Sequence, residues 1–477
     1  MDFLQQNLLL PLEENGTLRI AVCHDTPAPA LEDARLYLKR DFDVLLLPRD
    51  EIEQGLRNLM AEDMSAASED EDMEHLVLTE DETQDLFTLS RDAPIIRLVN
   101  TLFLRAVNNR ASDIHIEPYE KECVVRFRVD GVLHEILNLT RSQYSSAVAR
   151  VKVMSKLNLA EHRLPQDGRM RIKAGERVLD VRVSVLPTLF GERVVLRLLD
   201  RECRLLTLKS LGLLPDDYEM VKDLVSHPYG SILSTGPTGS GKSTTLYAIL
   251  LEVKSPNRNI ITIEDPVEYQ VPGIGQIPVN PKIGITFATG LRSILRQDPD
   301  VIMVGEIRDP ETADIATHAA LTGHLVLSTL HTNDAPTAVA RMVDMEVESY
   351  LLSSSLLGII AQRLVRRLCP YCKEQYDITE REMKQLNMSE DLARQGTFFR
   401  PTGCDKCLGT GYHGRMGLFE ILKVDEEMRG QIIRSPESNQ IRKLAVQHGM
   451  RTLLMDGAIK VAHGLTSVEE VLNATRL

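Results

Sequence analysis

The 477-residue chain has no tryptophan, and Phe and Tyr together make up only 4% of it. It has no apolar run near the roughly 18 residues that a membrane-spanning helix needs. Its first residues, Met1 to Gln6, lack the basic start of a signal peptide. These absences argue against an integral membrane protein and against a secreted one. We therefore expect a cytoplasmic protein that reaches a membrane only through a partner.

Basic residues are also scarce in one segment. The chain has 69 acidic and 55 basic residues, for a net charge of −14, and residues 61–86 contain 11 acidic residues and no Lys or Arg. Such a self-repelling stretch predicts a flexible linker over 61–90, with an acidic docking tail as the alternative. Without a basic face or a basic-aromatic tract, the composition argues against nucleic-acid binding.

The rest of the chain has the composition of globular α/β domains. Residues 1–60 predict a small α/β piece with strands at 18–22 and 44–47 and helices at 31–40 and 50–60. A helix at 93–109 and three strands within 123–129, 178–184 and 193–199 predict a second α/β domain over 91–210, with Asp130-Gly131 as a hairpin turn. The third domain is expected over 211–477.

The strongest motif is a phosphate loop of the form G-x-x-x-x-G-K-[ST] at 236–243, between a predicted strand at 231–234 and a predicted helix at 244–250. Its glycines let backbone N–H groups turn toward a triphosphate, Lys242 neutralises the β- and γ-phosphates, and Ser243 is placed to ligate Mg²⁺. The predicted ATP-binding residues are Gly236, Pro237, Thr238, Gly239, Ser240, Gly241, Lys242, Ser243 and Thr244.

Two predicted strands after the loop end in carboxylates, Glu264 after 260–263 and Glu306 after 300–305. Because the carboxyl ends of parallel strands gather around the ligand, both side chains should meet near the γ-phosphate. One would hold the Mg²⁺ shell and the other would activate water. A third strand at 325–330 is preceded by His324 and followed by His331, which we interpret as candidate nucleotide sensors.

Several stretches carry a family resemblance. They are SDIHIEP at 112–118, LPQDGR at 164–169, EDPVE at 264–268, RQDPD at 296–300, VGEIRD at 304–309, and the segment that runs from TGH at 322–324 through LHTN at 330–333. With the phosphate loop, they resemble the type II/IV secretion ATPase superfamily, and most closely its type II secretion branch. The resemblance extends from about residue 91 to the C-terminus.

The resemblance implies an α/β fold with a RecA-like core that works as a hexamer. It also implies roles for individual residues: Glu264 would lie in the family's aspartate box, Glu306 in its Walker B motif, and His324 with His331 in its histidine box. The family presents arginines to the phosphates from the preceding domain. These correspond best to Arg182 and Arg197, with Arg169 as a weaker candidate.

Four of the seven cysteines form two C-x-x-C pairs with 31 residues between them, at Cys369, Cys372, Cys404 and Cys407. Paired knuckles of this kind predict a structural Zn²⁺ site in a subdomain over 366–415, with a redox pair as the alternative. A helical excursion at 378–393 should fill the insert. The other three cysteines are interpreted as buried or incidental thiols.

Residues 351–365 have apolar side chains at helical spacing, with the basic residues Arg363, Arg366 and Arg367 at the end of this segment. This pattern predicts a core helix with a solvated basic end. The alternative is a basic end that meets anionic lipid or an acidic partner loop.

The resemblance implies an ATPase of a type II secretion system, peripheral on the cytoplasmic face of the inner membrane. It would drive pseudopilus assembly with the inner-membrane platform, recruited through residues 1–60, which are shorter than the family's recruitment domain. A type IV pilus extension ATPase is the nearest alternative. A nucleic-acid translocase and an inactive nucleotide-binding scaffold are the alternatives from other classes.

Overall fold

The computed structural model describes residues 9–14, 17–24, 26–27, 30, 42–49, 51–52, 76–77, 94–174, 177–200 and 206–476. The predicted helix at 31–40, most of the one at 50–60, and nearly all of the acidic segment lie outside these residues. The chain divides into two compact units. The first comprises Met1–Asn108 with Arg171–Glu176, and the second comprises Asn109–Met170 with Arg177–Leu477.

The first unit contains the sheet β1 (Leu10–Glu14), β2 (Thr17–Val22) and β3 (Asp43–Leu46). Strands β1 and β2 pair antiparallel, and β2 and β3 pair parallel, which confirms the two strands predicted there. Strand β4 (Leu76–Val77) pairs antiparallel with residues 173–174. Helix α1 (Pro94–Asn108) buries one stripe of apolar side chains, as its spacing predicts.

The second unit begins with an antiparallel sheet. Its elements are β5 (Ala111–Pro118), β6 (Cys123–Val129), β7 (Val132–Leu139), α2 (Arg141–Met154), the part of β8 (Gln166–Ala174) up to Met170, β9 (Arg177–Thr188) and β10 (Gly191–Asp200). Strands follow one another in the order β9-β10-β5-β6-β7. Asp130 and Gly131, with φ of 49° and 91°, form the predicted turn between β6 and β7, because a two-residue hairpin favours positive φ at both positions.

The nucleotide domain follows. Its elements up to the first cysteine are α3 (Pro215–Ser226), β11 (Gly230–Thr235), α4 (Lys242–Val253), β12 (Ile260–Glu264), β13 (Gly275–Pro278), α5 (Phe287–Ile294), β14 (Val301–Val304), α6 (Pro310–Leu321), β15 (Leu325–Leu330), α7 (Ala335–Asp344), α8 (Ser349–Ser355) and β16 (Leu356–Leu368).

After the first cysteine pair come β17 (Glu374–Gln375), α9 (Glu380–Gln385), α10 (Glu390–Gln395), β18 (Phe399–Arg400), β19 (Tyr412–Lys423), α11 (Glu426–Arg434), α12 (Ser438–Gln447), α13 (Leu453–Ala462) and α14 (Val468–Thr475). The main sheet has the order β13-β12-β14-β15-β11-β16-β19 and is parallel except for β19. Hydrophobic clusters include residues from its strands and from the helices packed on them. Burial on both faces explains why its central strands are continuous apolar runs.

The predicted helix at 351–365 is wrong beyond Ser355, where α8 ends and β16 begins. Residues 356–362 are all buried, since β16 lies between β11 and β19. A strand buried on both faces has a continuous apolar sequence that periodicity cannot distinguish from a buried helix. Gly358 lies where β16 packs closely on its neighbours, because a Cβ there would lie 2.8 Å from Leu224 Cδ1 and 3.0 Å from the Leu422 carbonyl oxygen.

The insert between the cysteine pairs is helical, but the expected single excursion is divided into α9 and α10. Asn387 takes a left-handed conformation with φ of 52°, and the Ser389 hydroxyl then caps α10 by accepting the N–H of Leu392. Among the described residues, no helix is both long and apolar enough to cross a bilayer.

Candidate nucleotide site and tetracysteine cluster

The phosphate loop joins β11 to the first turn of α4, as the motif predicts. Gly236, Gly239 and Gly241 all have positive φ, between 80° and 148°. A Cβ at Gly236 would lie 2.5 Å from the Gln362 carbonyl oxygen, and one at Gly241 would lie 2.8 Å from Gln362 Nε2. The loop therefore needs glycine both for its backbone conformation and for its close packing on β16.

The side chain of Lys242 is buried beneath this loop. Its Nζ donates hydrogen bonds to the carbonyl oxygens of Gly236 at 2.9 Å and Pro237 at 3.1 Å. Burial lowers the Lys242 pKa, whereas the nearby carboxylate of Glu306 raises it. The ammonium group is thus held inside the loop, where a bound phosphate would be an additional partner for its three donors.

A cleft of about 550 Å³ opens beside the loop. Its lining includes predicted residues from five segments of the chain: Arg197, Thr238, Gly239, Gly241, Lys242, Ser243, Thr244, Glu264, Glu306 and His331. The fold therefore brings together the phosphate loop and both predicted carboxylates. The lining also contains Asp113, Arg308 and Arg415, which sequence reasoning did not select.

Glu264, the last residue of β12, is 4% exposed and accepts hydrogen bonds on both carboxylate oxygens. Oε2 accepts the hydroxyl of Tyr247, and Oε1 accepts Thr262 Oγ1 at 2.5 Å and Gln276 Nε2 at 3.1 Å. Burial and the hydrogen bond to the carboxylate raise the Tyr247 pKa above its usual range, which keeps the phenol protonated as a donor. These donors fix the orientation of the carboxylate.

Glu306 follows β14 and is 8% exposed. Its Oε1 pairs with Arg308 Nη2 at 2.5 Å, and its Oε2 lies 3.5 Å from His331 Nε2. Burial, followed by the charge of Lys242, lowers the His331 pKa, while Glu306 opposes the shift. A neutral imidazole beside a carboxylate and an ammonium group can both donate and accept a proton at this edge of the sheet.

The two predicted arginines lie opposite each other in the β9–β10 register. Arg197 Nε donates to Asp113 Oδ1 at 3.0 Å, and its side chain lines the cleft. Arg182 Nη2 lies 3.8 Å from Glu268 Oε2, and Glu268 also lines the cleft. Arg169, on β8, is exposed and does not belong to the lining.

His324 and His331 are not brought together. His331 lies in the cleft, whereas His324 precedes the opposite end of β15, roughly 20 Å away by strand geometry. The Nδ1 atom of His324 lies 3.0 Å from the Ala319 carbonyl oxygen, and its own carbonyl accepts the N–H of Gly230. His324 therefore does not line this cleft, and its role as a nucleotide sensor stays a prediction.

Some residues at the site were not predicted from the sequence, and they differ in whether a nearby motif could have indicated them. Arg308 lies in the stretch VGEIRD, two residues after Glu306, and its position could have been noticed. Tyr247 and Gln276 carry no local signal, because they reach Glu264 from α4 and β13. Arg415 comes from β19, on the far side of the cysteine insert, and only the fold brings it to the cleft.

The four knuckle cysteines form one cluster, in which every sulfur lies within 4.8 Å of every other. The separations are 3.9 Å for Cys369–Cys404, 3.8 Å for Cys372–Cys407 and 3.7 Å for Cys404–Cys407. Four thiolates at about 2.3 Å from one Zn²⁺ would be about 3.8 Å apart in a regular tetrahedron. The spacing therefore fits tetrahedral zinc and is too long for disulfide bonds.

The surroundings of Cys407 favour a thiolate, whereas burial raises the pKa of Cys369 and of Cys404. Its Sγ accepts N–H groups from Cys404 at 3.1 Å and Gly411 at 3.2 Å. Burial alone would raise its pKa, but these donors lower the Cys407 pKa to about 6. A sulfur with two backbone donors is already stabilised in the anionic form in which it binds a metal.

Comparison with known proteins gives a family. The sequence pattern described as "Type II/IV secretion system protein" matches residues 88–473, and that of the MshEN domain matches residues 1–66. The chain is 48% identical over 479 residues to type II secretion system protein E of Aeromonas hydrophila, covering 99% of this chain and 95% of that protein. It is also 48% identical to type II secretion system ATPase E of Vibrio cholerae, covering 94% and 90%.

Solved structures give the same fold. The pilus retraction motor PilT with bound ADP matches with a TM-score of 0.54 and 27% identity, over 78% of this chain and 95% of that one. The ATPase DotB of Legionella pneumophila matches with a TM-score of 0.59 and 22% identity, over 83% and 98%. The second likeness supports the fold alone. The predicted α/β fold with an ATPase core is confirmed.

Proposed function

The chain belongs to the Type II/IV secretion system protein family, and from this membership we propose that it is an ATPase of a type II secretion system. It would hydrolyse ATP in a hexameric ring to drive pseudopilus assembly and protein export. One observation carries the proposal: a single cleft holds the phosphate loop, two buried carboxylates at the ends of neighbouring strands, and an arginine from the preceding domain. Phosphoryl transfer requires groups of these kinds.

We assign each residue of the cleft a role that follows from its surroundings. The N–H groups of the phosphate loop and Lys242 would bind the β- and γ-phosphates. Glu264 already accepts three hydrogen bonds, so it suits a fixed orienting role. Glu306 faces Lys242 and His331 across the cleft and would orient the attacking water and accept its proton. Arg197, joined by Arg182 from the neighbouring strand, would stabilise charge on the transferred phosphoryl group.

The cofactor sites follow from the donor types. Ser243 and Glu264 line the cleft with oxygen ligands, which Mg²⁺ prefers, and bound Mg²⁺ would neutralise charge on the phosphate oxygens. The four-cysteine cluster would hold a structural Zn²⁺, since no position in a four-thiolate set remains open for substrate. We expect no redox role for it.

The organisation of the molecule is proposed on the same basis. Residues 1–60, within the MshEN match, would dock to inner-membrane secretion partners, and the linker at 61–90 would join them to the rest of the chain. The domain at 91–210 would supply arginines to the ATPase domain at 211–477. The protein would then act at the cytoplasmic face of the inner membrane. Arg366 pairs with Glu470, and this engagement weakens the case for a basic end that binds anionic lipid.

The test is the ATPase rate as a function of protein concentration, with and without a hexamerising fusion partner. We expect the rate per subunit to rise on assembly, because the arginines must be held against the nucleotide. Lys242→Ala should abolish the rate, since it removes the loop's only ammonium group. A rate near zero in every assembled form would favour the nucleotide-binding scaffold, and stimulation by DNA would favour the translocase.

A smaller effect is expected at Tyr247. Tyr247→Phe removes one of the three donors to Glu264, so kcat should fall by roughly 3- to 10-fold and stability by about 1–2 kcal/mol. Steady-state kinetics and thermal unfolding measure the two effects. Tyr412→Phe is the matched control, because Tyr412 is also buried and hydrogen-bonds Ser467 at 2.8 Å, outside the cleft. It should lose stability without losing kcat, and an equal loss of kcat in both variants would contradict the role of Tyr247.

A further inference from the structure

The guanidinium group of Arg197 is held through its Nε atom. Its Nε donates to Asp113 Oδ1 at 3.0 Å, and within the described residues its two terminal nitrogens have no hydrogen-bond partner. The side chain is 62% exposed and lines the cleft. A guanidinium group tethered through Nε keeps its Nη1 and Nη2 fork available for the oxygens of an anion.

The tether itself is fixed in place. Asp113 is 5% exposed, and its Oδ2 accepts the hydroxyl of Ser112 at 2.8 Å. Arg128 Nε lies 3.7 Å from the same oxygen. Asp113 lies on the central strand β5, directly opposite Arg197 on β10 and Arg128 on β6. The position of this carboxylate is therefore set by two strand ladders and not by a mobile loop.

The same strand offers an internal comparison at Glu117. Glu117 is as buried as Asp113, at 2% exposed, and also pairs with one arginine from each neighbouring strand. Arg126 and Arg193 each contact it through Nη2, at 2.5 Å. Neither arginine lines the cleft. Arg126 and Arg193 thus use a terminal nitrogen to contact the carboxylate, whereas Arg197 uses its Nε atom.

We propose that Asp113 is a positioning residue that holds Arg197 by its Nε and thereby presents the terminal nitrogens of that arginine to the phosphates of the nucleotide. The inference rests on the proposed ATPase function and adds to it a residue from the opposite side of the cleft. Because the terminal nitrogens suffice to bind phosphate oxygens, the hydrogen bond from Arg197 Nε to Asp113 can persist when the nucleotide is bound. Arg197 then needs no reorganisation when charge develops in the transition state.

The experiment is a double-mutant cycle in the full-length, hexamerised protein, with ATP and Mg²⁺. Arg197→Ala should lower kcat by roughly a hundredfold. Asp113→Asn, which keeps the shape but removes the charge, should lower kcat by roughly tenfold with little change in KM for ATP. In the Arg197→Ala background, the same Asp113→Asn change should have less than about a twofold effect.

Glu117→Gln is the matched control, because it neutralises a carboxylate of similar burial on the same strand. We expect it to lower the melting temperature to a similar degree while kcat stays within about twofold of wild type. Ser112→Ala gives a second probe if Asp113→Asn folds poorly, and it should lower kcat only where Arg197 is present.

The outcomes separate this inference from the proposed function. If the wild-type protein hydrolyses ATP and Lys242→Ala abolishes this hydrolysis, the proposed ATPase function stands. The positioning role of Asp113 would then be overturned if Asp113→Asn lowered kcat equally in the presence and in the absence of Arg197. It would also be overturned if Glu117→Gln lowered kcat as much as Asp113→Asn does. Unchanged kcat in Arg197→Ala would also overturn it. Absence of hydrolysis in assembled wild-type protein would instead reject the ATPase function.

Discussion

Glu306→Gln is expected to reduce kcat for ATP hydrolysis by about 10²- to 10⁴-fold while leaving ATP binding within a few-fold of wild type. The carboxylate is 8% exposed and faces Lys242 and His331 at the end of β14. An amide cannot accept a proton from water, and it weakens the alignment of Arg308, which now pairs with Glu306 at 2.5 Å. The phosphate loop does not depend on this carboxylate, so nucleotide affinity should be largely retained.

Single-turnover hydrolysis and equilibrium binding of a fluorescent ATP analogue measure the two quantities separately. Glu311→Gln is the control, because Glu311 is an exposed carboxylate on α6 that pairs with Arg292 and does not line the cleft. It should behave as wild type. Retained hydrolysis in Glu306→Gln would move the assignment of the proton acceptor to another carboxylate of the cleft.

Removal of a knuckle thiolate is expected to have the largest effect on stability. In Cys407→Ala, the bound zinc should fall from one to nearly zero ions per chain, and unfolding free energy should fall by at least about 3 kcal/mol. Cys407 is 5% exposed, and its sulfur lies within 4 Å of two other knuckle sulfurs. Three remaining thiolates leave a charged and incomplete coordination shell.

Zinc content by atomic emission and thermal unfolding check this prediction. Cys123→Ala is the control, since Cys123 is also a buried cysteine but lies on β6, outside the cluster. It should keep its zinc and lose only the stability of a small cavity. Equal zinc content in both variants would show that the four-cysteine cluster is not the metal site.

The sequence predicts those parts of the site that are local. The phosphate loop and the carboxylates at two strand ends each depend on a few consecutive residues, and the fold brings them to one cleft. The tether between Asp113 and Arg197 joins residues 84 positions apart, so it depends on the β5–β10 register, which no local pattern contains. The donors to Glu264 are hidden for the same reason.

The period of an element is easiest to read where one face is exposed. The fully buried strands β11 and β15 were still predicted, because each is a short apolar run next to a motif, whereas β16 is long and directly follows α8. Strands β6 and β9 and helix α1 have an alternation or a stripe that shows their period. Strand β16 has neither over residues 356–362, because both of its faces are covered, and it was assigned to a helix. His324 precedes β15 and His331 follows it, so strand polarity places the two histidines at opposite edges of the sheet.

The pairing of β16 with β19 has a consequence for chain entropy. These strands are antiparallel neighbours from Gly358–Lys423 to Leu368–Tyr412, and the long cysteine insert lies between them. A crosslink between residues 35 positions apart, such as Cys369 and Cys404, lowers the cost of closing such an excursion by on the order of 4 kcal/mol. A metal bound by all four cysteines would provide such a crosslink between the two ends of the insert. It would then help to keep Gln362, behind the phosphate loop, and Arg415, at the cleft, in register.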